Sequence, residues 1–507
     1  MAVLSGRRRK GKRTPLIRKY VIGTIAFSPM ALVRNKSFAP VLFAAIFLLS
    51  FLWYSSVFQD SLKHLMGNCF GPVMGINFTF QPNKAAAPRP RSFDLQSEIN
   101  SVFNKIQRII PNVTFTFFNR STSAKISKVS IVNRREHYCL GEDLVVQVDM
   151  YDHLGDRKTY GGDFIRSRLF SHKLGAAVSG RVEDFHNGSY HVHFPLRWVD
   201  SNKTKVSIQL MHPSEGIAAL WRARHASLGV LGFNGKYECL GKEAITDCHF
   251  QLNTTEEVCE YKDKFYEEAF YCIKPKNISC ECLHDMRAVD PRVSYLTEGE
   301  GSLFARSNIG VEMAKGLKTI VITDCGFVKY FRFHEGGWHS WQKTLEALNM
   351  DKDIYVSYKR HGFPLESFGF YYFKEDMYTS RQIDQRGGGK DTIFVISMGQ
   401  HFRQFPLTLY IRRAINIRRA VERLFLRSPD TKVIIKTENT RQFATLPERV
   451  GDFHGYTQYL VLREVFVGMN VGFVDAWDMT VASCIESVHP FGYTLNNILS
   501  MTFSMAC

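Results

Sequence analysis

Four short polar tetrads follow apolar runs in the C-terminal part of this 507-residue chain: Thr323-Asp324-Cys325-Gly326, Gly399-Gln400-His401-Phe402, Thr437-Glu438-Asn439-Thr440 and Asp475-Ala476-Trp477-Asp478. His489-Pro490 stands shortly after the last of them. Open α/β sheets bind ligands just outside the carboxyl ends of their strands, so these are the positions at which chemistry is sought. A hydrolase on such a sheet needs a nucleophile at a strand-to-helix turn, donors for a developing oxyanion, and an imidazole base oriented by a carboxylate. Cys325 offers the first, Gly399 and Gln400 the second, and His489 with Asp478 the third. The same residue types also serve as plain caps at strand ends. Cys325 reads more readily as a buried or disulfide-bonded cysteine than as a reactive thiol.

Two other patterns fail on spacing. His334-Glu-Gly-Gly-Trp-His339 places its histidines five apart across two glycines, so they cannot share a helical face as a zinc-protease motif requires. Gly387-Gly-Gly-Lys390 lacks the spacing of a phosphate-binding loop, and Asp391 stands where Ser or Thr should follow.

The tetrads must be held by strands. Continuous apolar runs at Thr319-Ile-Val-Ile, Thr392-Ile-Phe-Val-Ile, Lys432-Val-Ile-Ile and Val471-Gly-Phe-Val read as strands buried on both faces, and 406–427 and 454–467 read as helices between them. That alternation predicts a parallel α/β sheet over 303–507. On the first helix Arg412, Arg413, Arg418, Arg419 and Arg423 lie off the apolar stripe and read as a solvated face. From about 111 to 225 the grammar differs. Leu144-Val-Val-Gln-Val-Asp-Met, Ser189-Tyr-His-Val-His-Phe and Lys205-Val-Ser-Ile-Gln-Leu alternate in polarity between turn residues, which predicts an antiparallel β-sandwich within 92–283. Residues 284–302, with Asp-Pro and Gly-Glu-Gly, read as a linker.

Charge and cysteine usage bound the surroundings. Ten of the 65 Lys and Arg fall in residues 1–36 with no Asp or Glu, so the rest of the chain carries 55 basic against 48 acidic side chains and no nucleic-acid-binding domain is implied. Phe38–Phe58 is 21 residues without a charge, the length a helix needs to cross a bilayer, flanked by Arg34, Lys36 and Asp60. It reads as a signal anchor over 37–58 with a basic cytoplasmic tail (1–36) and a stem (59–91), a single-pass type II arrangement in the secretory pathway. A cleaved signal peptide fits less well, because no small-x-small site closely follows the apolar run. Beyond the anchor Asn77, Asn112, Asn119, Asn187, Asn202, Asn253 and Asn277 each head a glycosylation sequon. Of eleven cysteines, Cys239, Cys248, Cys259, Cys272, Cys280 and Cys282 fall within 44 residues and read as disulfides; their spacing suits no zinc site, and no metal is expected.

Two sets of motifs stand in these regions: Gly161-Gly-Asp-Phe-Ile-Arg-Ser-Arg168, Ser179-Gly180, Asn187-Gly188 and His212-Pro-Ser-Glu215, and then Ser397-Met-Gly-Gln-His-Phe-Arg403, Leu426-Arg-Ser-Pro-Asp-Thr431, Ile435-Lys-Thr-Glu-Asn439, Asp452-Phe-His-Gly-Tyr456, Asp475-Ala-Trp-Asp478 and Val488-His-Pro490. In them the chain resembles the NXPE family, which joins a neurexophilin-like domain to a PC-esterase-like domain. It implies an immunoglobulin- or filamin-like sandwich followed by an SGNH-type α/β domain, associated with acyl ester hydrolysis or O-acetyl transfer on glycan hydroxyls in the Golgi or at the cell surface. No cofactor is implied, save an acyl donor such as acetyl-CoA for a transferase. Implied partners are the membrane, a luminal glycan or glycoprotein, and a cell-surface protein if the chain acts instead as a binding module.

The resemblance assigns Gly399 and Gln400 to the oxyanion side and Asp478 with His489 to the acid–base pair. Glu486 is an alternative orienting carboxylate. The family's attacking serine lies in a Gly-Asp-Ser turn, and this sequence contains none. Either Thr323-Asp324-Cys325 replaces that turn, making Cys325 a substituted nucleophile, or Cys325 is the structural cysteine upstream of it and the serine segment is absent. The ungapped lead-in Ser302 to Cys325 favours the second alignment. Without its serine the site is expected to be impaired.

Overall fold

The computed structural model describes residues 94–507 except 133, 227–228, 230, 291–292, 324–343, 350–353, 366–368, 374–376, 442–445, 486, 488, 491 and 507. The expected tail, membrane span and stem, together with Asn77, Cys325 and Glu486, lie outside the described residues.

Helix α1 (Leu95–Gln107) begins at Asp94, whose carboxylate caps the Ser97 N–H, and it buries Leu95, Ile99, Val102 and Ile106 at helical spacing. Strands β1 (Lys128–Ile131), β2 (Tyr138–Cys139), β3 (Asp143–Asp149), β4 (Phe164–Ser171), β5 (Ala176–Ser179), β6 (Arg181–Asp184), β7 (Ser189–Pro195) and β8 (Asp200–His212) follow, then helix α2 (Ser214–His225). One antiparallel sheet runs β1-β3-β7-β6. In β3 the period of two is plain: Leu144, Val146 and Val148 are fully buried, and Val145, Gln147 and Asp149 face outward. These side chains meet Leu169, Tyr190, Val192, Phe194, Ile208 and Leu210 in a shared core, each burial contributing about 1.5–3 kcal/mol.

Strands β9 (Gly232–Cys239), β10 (Lys242–His249), β11 (Val258–Asp263), β12 (Glu268–Ile273) and β13 (Leu283–Val289) form a further antiparallel sheet stapled by Cys239–Cys282, Cys248–Cys272 and Cys259–Cys280. All six clustered cysteines are thus paired; Cys484 is free. Beyond it come β14 (Val311–Glu312), β15 (Ile320–Thr323), β16 (Thr344–Asn349), β17 (Ile354–Lys359), β18 (Tyr371–Tyr372), α3 (Thr379–Asp384), β19 (Ile393–Ser397), α4 (Leu407–Arg427), β20 (Lys432–Lys436), α5 (Asp452–Val465), β21 (Gly472–Val474), α6 (Ala476–Ala482) and α7 (Gly492–Ala506). Strands β19, β20 and β21 pair in parallel in that order.

The expected fold class, a single transmembrane helix, then a sandwich, then a separate α/β domain, needs correction. No helix among the described residues is long and apolar enough to cross a membrane. The described chain is one mixed α/β assembly of several sheets whose halves interleave. Strand β15, expected in the parallel sheet, lies between β2 and β8 instead, in a sheet ordered β2-β15-β8-β4-β5, with Ile320 and Ile322 in the sandwich core. A four-residue apolar run suits either location, and periodicity cannot separate them. Strand β18 likewise pairs with β13. The largest core contains α1 and α2 residues such as Ile99, Leu220 and Trp221 together with Phe394, Ile411, Ile415, Ile435 and Leu462 from the C-terminal half.

The arginines of α4 are not a solvated face either. Arg413 is fully buried, donating to Glu268 Oε1 at 2.8 Å and to the Phe363 carbonyl at 2.9 Å. Arg418 and Arg419 grip Glu98 of α1, and Arg423 grips Asp384 of α3. The off-stripe surface is covered by chain distant in sequence.

Candidate functional site

The carboxyl ends of β19, β20 and β21 carry three of the four tetrads. After β19, Gly399 approaches Glu438 so closely that a Cβ there would stand 1.8 Å from Glu438 Oε2, which explains a glycine at this position. Gln400 Nε2 donates to Glu438 Oε1 at 3.3 Å and to the Asn439 carbonyl at 3.4 Å, so its side chain is turned toward the end of β20. Burial pushes the Glu438 carboxyl above its ordinary value, against the opposing pull of Arg403 and Lys436. Burial pushes the Lys436 ammonium down, while Glu438 pulls it up. The Lys436 ammonium donates to the Thr437 carbonyl and to Asn439 Oδ1 at 3.0 and 3.2 Å.

Beneath this layer lies Arg403, without solvent exposure. It donates to the Asn439 carbonyl at 2.7 Å, the Val450 carbonyl at 2.9 Å and Asp452 Oδ1 at 3.3 Å. Asp452 also receives Arg166 of β4 at 3.0 Å, a buried ion pair joining the sandwich to the α/β half. The sequence reading placed Glu438 in a strand-end tetrad without giving it a role, and it missed Arg166 and Arg403 as site-forming residues. Charged residues within runs otherwise matching a buried sheet were the available signal, since buried charges require partners.

At the end of β21, Asp475 caps α6 through the Asp478 N–H at 3.0 Å and accepts from Tyr459 at 3.1 Å. Tyr456 and Tyr459 stack beside it with ring centroids 6.0 Å apart, and the buried Trp477 ring meets them at a tilt, 5.6 and 6.3 Å away. The Asp478 carboxylate accepts a hydrogen bond from Ser179 at the end of β5. Burial raises its carboxyl above the usual range, the Ser179 bond lowers it, and Asp475 raises it further. The hydrogen-bond partner of this carboxylate is therefore a sandwich serine, not His489.

Burial drives the His401 imidazole down to about 3, with Arg360, Arg441 and His489 adding to the effect. The His361 and His401 rings meet edge to face at 5.2 Å. The His489 backbone N–H donates to Ser487 Oγ at 3.2 Å. The structure thus gathers Gly399, Gln400, Glu438, Asn439 and His401 at neighbouring strand ends, and ties Asp478 to the sandwich. Cys325 is outside the described residues, but Thr323, two residues earlier, pairs in parallel with Cys139, which is disulfide-bonded. Among the sequons, Asn112, Asn119, Asn187, Asn253 and Asn277 have exposed side chains; the side chain of Asn202 is outside the description.

These features define a two-part protein, a disulfide-stapled β region interleaved with a parallel α/β region whose strand ends carry a polar cluster. Residues 138–288 match the neurexophilin family model, and residues 320–507 match the C-terminal domain of NXPE family member 4-like proteins. The chain belongs to the NXPE family. The second match begins at β15, so its first strand is the one that completes the sandwich. Neurexophilin similarity and three disulfides are consistent with a protein of the secretory pathway.

Proposed function

We propose that this chain is a secretory-pathway glycoprotein whose α/β region keeps the plan of an acyl ester hydrolase or O-acetyltransferase for glycan hydroxyls, and turns such substrates over slowly or not at all. The observation that carries this reading is the engagement of Asp478 by Ser179, which leaves the residue assigned as the triad acid serving the contact between the two regions. The absence of Gly-Asp-Ser supports it, because losing the serine of a triad removes nearly all the rate the triad supplies. Pairing of Thr323 beside disulfide-bonded Cys139 supports a structural role for Cys325. The turn at Gly399 and Gln400 directly after β19 supports the oxyanion-side assignment of these two residues on this reading. The working role on this reading is binding of a glycan or a cell-surface protein, with the α/β region as scaffold.

The test is acetate release from an acetylated glycan, and acetyl transfer from acetyl-CoA, by the purified full chain. Rates at the uncatalysed level, unchanged by Cys325→Ala or His489→Ala, are expected. Turnover abolished by His489→Ala overturns the impaired reading, and turnover abolished by Cys325→Ala as well makes that thiol the nucleophile.

A further inference from the structure

The outward face of the β1-β3-β7-β6 sheet carries a group of side chains that the strand-end site does not use. His191 and His193 are two apart on β7, so their side chains leave the sheet on the same side. Glu183 of β6 stands directly opposite His191 in the antiparallel register. One donor atom from each of the three lies within 4.8 Å of the others, and His193 Nε2 is 3.1 Å from Glu183 Oε2.

We propose that Glu183, His191 and His193 form a binding site for a divalent transition cation of the zinc class. Donor atoms bound to a tetrahedral zinc at about 2.0–2.1 Å lie ~3.3 Å from one another. The His193–Glu183 separation already matches one edge of that tetrahedron, and the remaining edges close by rotation of side chains that are exposed or half-buried. Two imidazoles and one carboxylate favour zinc over calcium or magnesium, which prefer all-oxygen sets. The fourth position faces solvent and is available to water or to a donor from a partner.

The frame is rigid where it must be. Between and beside the ligands, Tyr190, Val192 and Phe194 point the other way into the sandwich core and are almost wholly buried, which fixes the path of β7. Phe185 packs edge-on against His191 at 4.7 Å and limits the tilt of that ring. On the other side of β7, Gln147 and Val145 of β3 stand opposite His191 and His193 and place no charge there. Arg181, opposite His193 on β6, is a cation on this face that opposes binding, and it is exposed to water; Lys128 and Arg157 lie toward the other end of the sheet, at Asp149. The plain alternative is a surface histidine–glutamate hydrogen bond with no ion, and it makes a different prediction.

The experiment uses the full chain, stripped with a chelator and titrated with zinc chloride in a calorimeter, as wild type and as His191→Ala, His193→Ala and Glu183→Gln. One equivalent of zinc is expected to bind the wild type, with affinity falling at least about tenfold in each variant, the low end of what removing even a supporting partner of a metal ligand costs. Melting temperatures in excess chelator are expected to agree among the four proteins, because these side chains lie outside the core. Should either alanine variant fail to fold, Glu183→Gln keeps the shape of the site and carries the same comparison. Absence of saturable zinc uptake by the wild type overturns the proposal, as does uptake of unchanged affinity in the variants.

Discussion

Replacing Asp452 by Asn tests whether the sandwich and the α/β region are one cooperative body. Asp452 accepts from Arg166 at 3.0 Å, from Arg403 at 3.3 Å and from the Arg441 N–H at 2.6 Å, and the side chains of Arg166 and Asp452 are only 5% and 4% exposed. Breaking a buried pair by removing one partner costs about 3–5 kcal/mol, because the remaining charge stays out of water. Asparagine keeps one accepting oxygen, and Arg403 keeps the carbonyls of Asn439 and Val450, so ~3 kcal/mol is expected for Asp452→Asn and more for Asp452→Ala. The assay is urea unfolding of the full chain followed by tryptophan fluorescence, since Trp198 reports on the sandwich and Trp477 on the strand ends. Arg166→Met should be destabilising alone and less so beside Asp452→Asn, with a coupling of roughly 0.5–3 kcal/mol. A loss below about 1 kcal/mol, the level of an exposed ion pair, would show that water reaches the pair and would refute its role as the tie between the regions.

Gly399→Ala forces a methyl group onto the buried Glu438 carboxylate and is expected to cost about 1–3 kcal/mol in chemical unfolding, with Glu438→Ala partly relieving it. Stability is expected to fall as pH drops from 6.5 toward 3. The fully buried His212 is held neutral down to about 3 while its unfolded counterpart takes a proton near 6.5, so each unit of acidification in that window costs about 1.4 kcal/mol for this group. His212 Nδ1 has no hydrogen-bond partner and the ring packs against Phe164 and Phe304, so His212→Phe should flatten the dependence of the urea midpoint on pH; an unchanged slope would place the acid sensitivity elsewhere. Loss of the Cys248–Cys272 bridge in Cys272→Ser should destabilise the β9–β13 sheet by about 2–5 kcal/mol, read as a lower unfolding midpoint under non-reducing conditions. Peptide N-glycosidase should lower the apparent mass of the cellular protein, given exposed Asn112, Asn119, Asn187, Asn253 and Asn277; an unshifted band would contradict entry into the secretory pathway.

The apolar runs after Thr392, Lys432 and Val471 locate strands, though not which sheet they join, and the period of two in Leu144–Met150 and Ser189–Phe194 locates half-buried antiparallel ones. Both are local properties, because period and continuity report how many faces of a segment are buried. They do not report what buries them. For Ile320–Thr323 the neighbours are β2 and β8, more than a hundred residues earlier, and for Arg413 the covering residue is Glu268. The six clustered cysteines announced disulfides by number and spacing, whereas their pairing is a tertiary property: Cys272 stands in register with both Cys248 and Cys259 and bonds Cys248, while Cys239 and Cys259 bond Cys282 and Cys280 of the turn before β13.

The polar tetrads could be located from the chain because side chains at strand ends follow directly from where the apolar runs stop. Gly399, Gln400 and Glu438 accordingly meet where parallel pairing places them. What the amino-acid order could not decide is the partner of each carboxylate. Asp478 is bonded to Ser179 and Asp452 to Arg166, contacts that span nearly three hundred residues and exist only because the sandwich folds onto the α/β region. Periodicity and spacing are one-dimensional quantities, and the desolvation and charge pairing that assign a role to a carboxylate depend on distances in space.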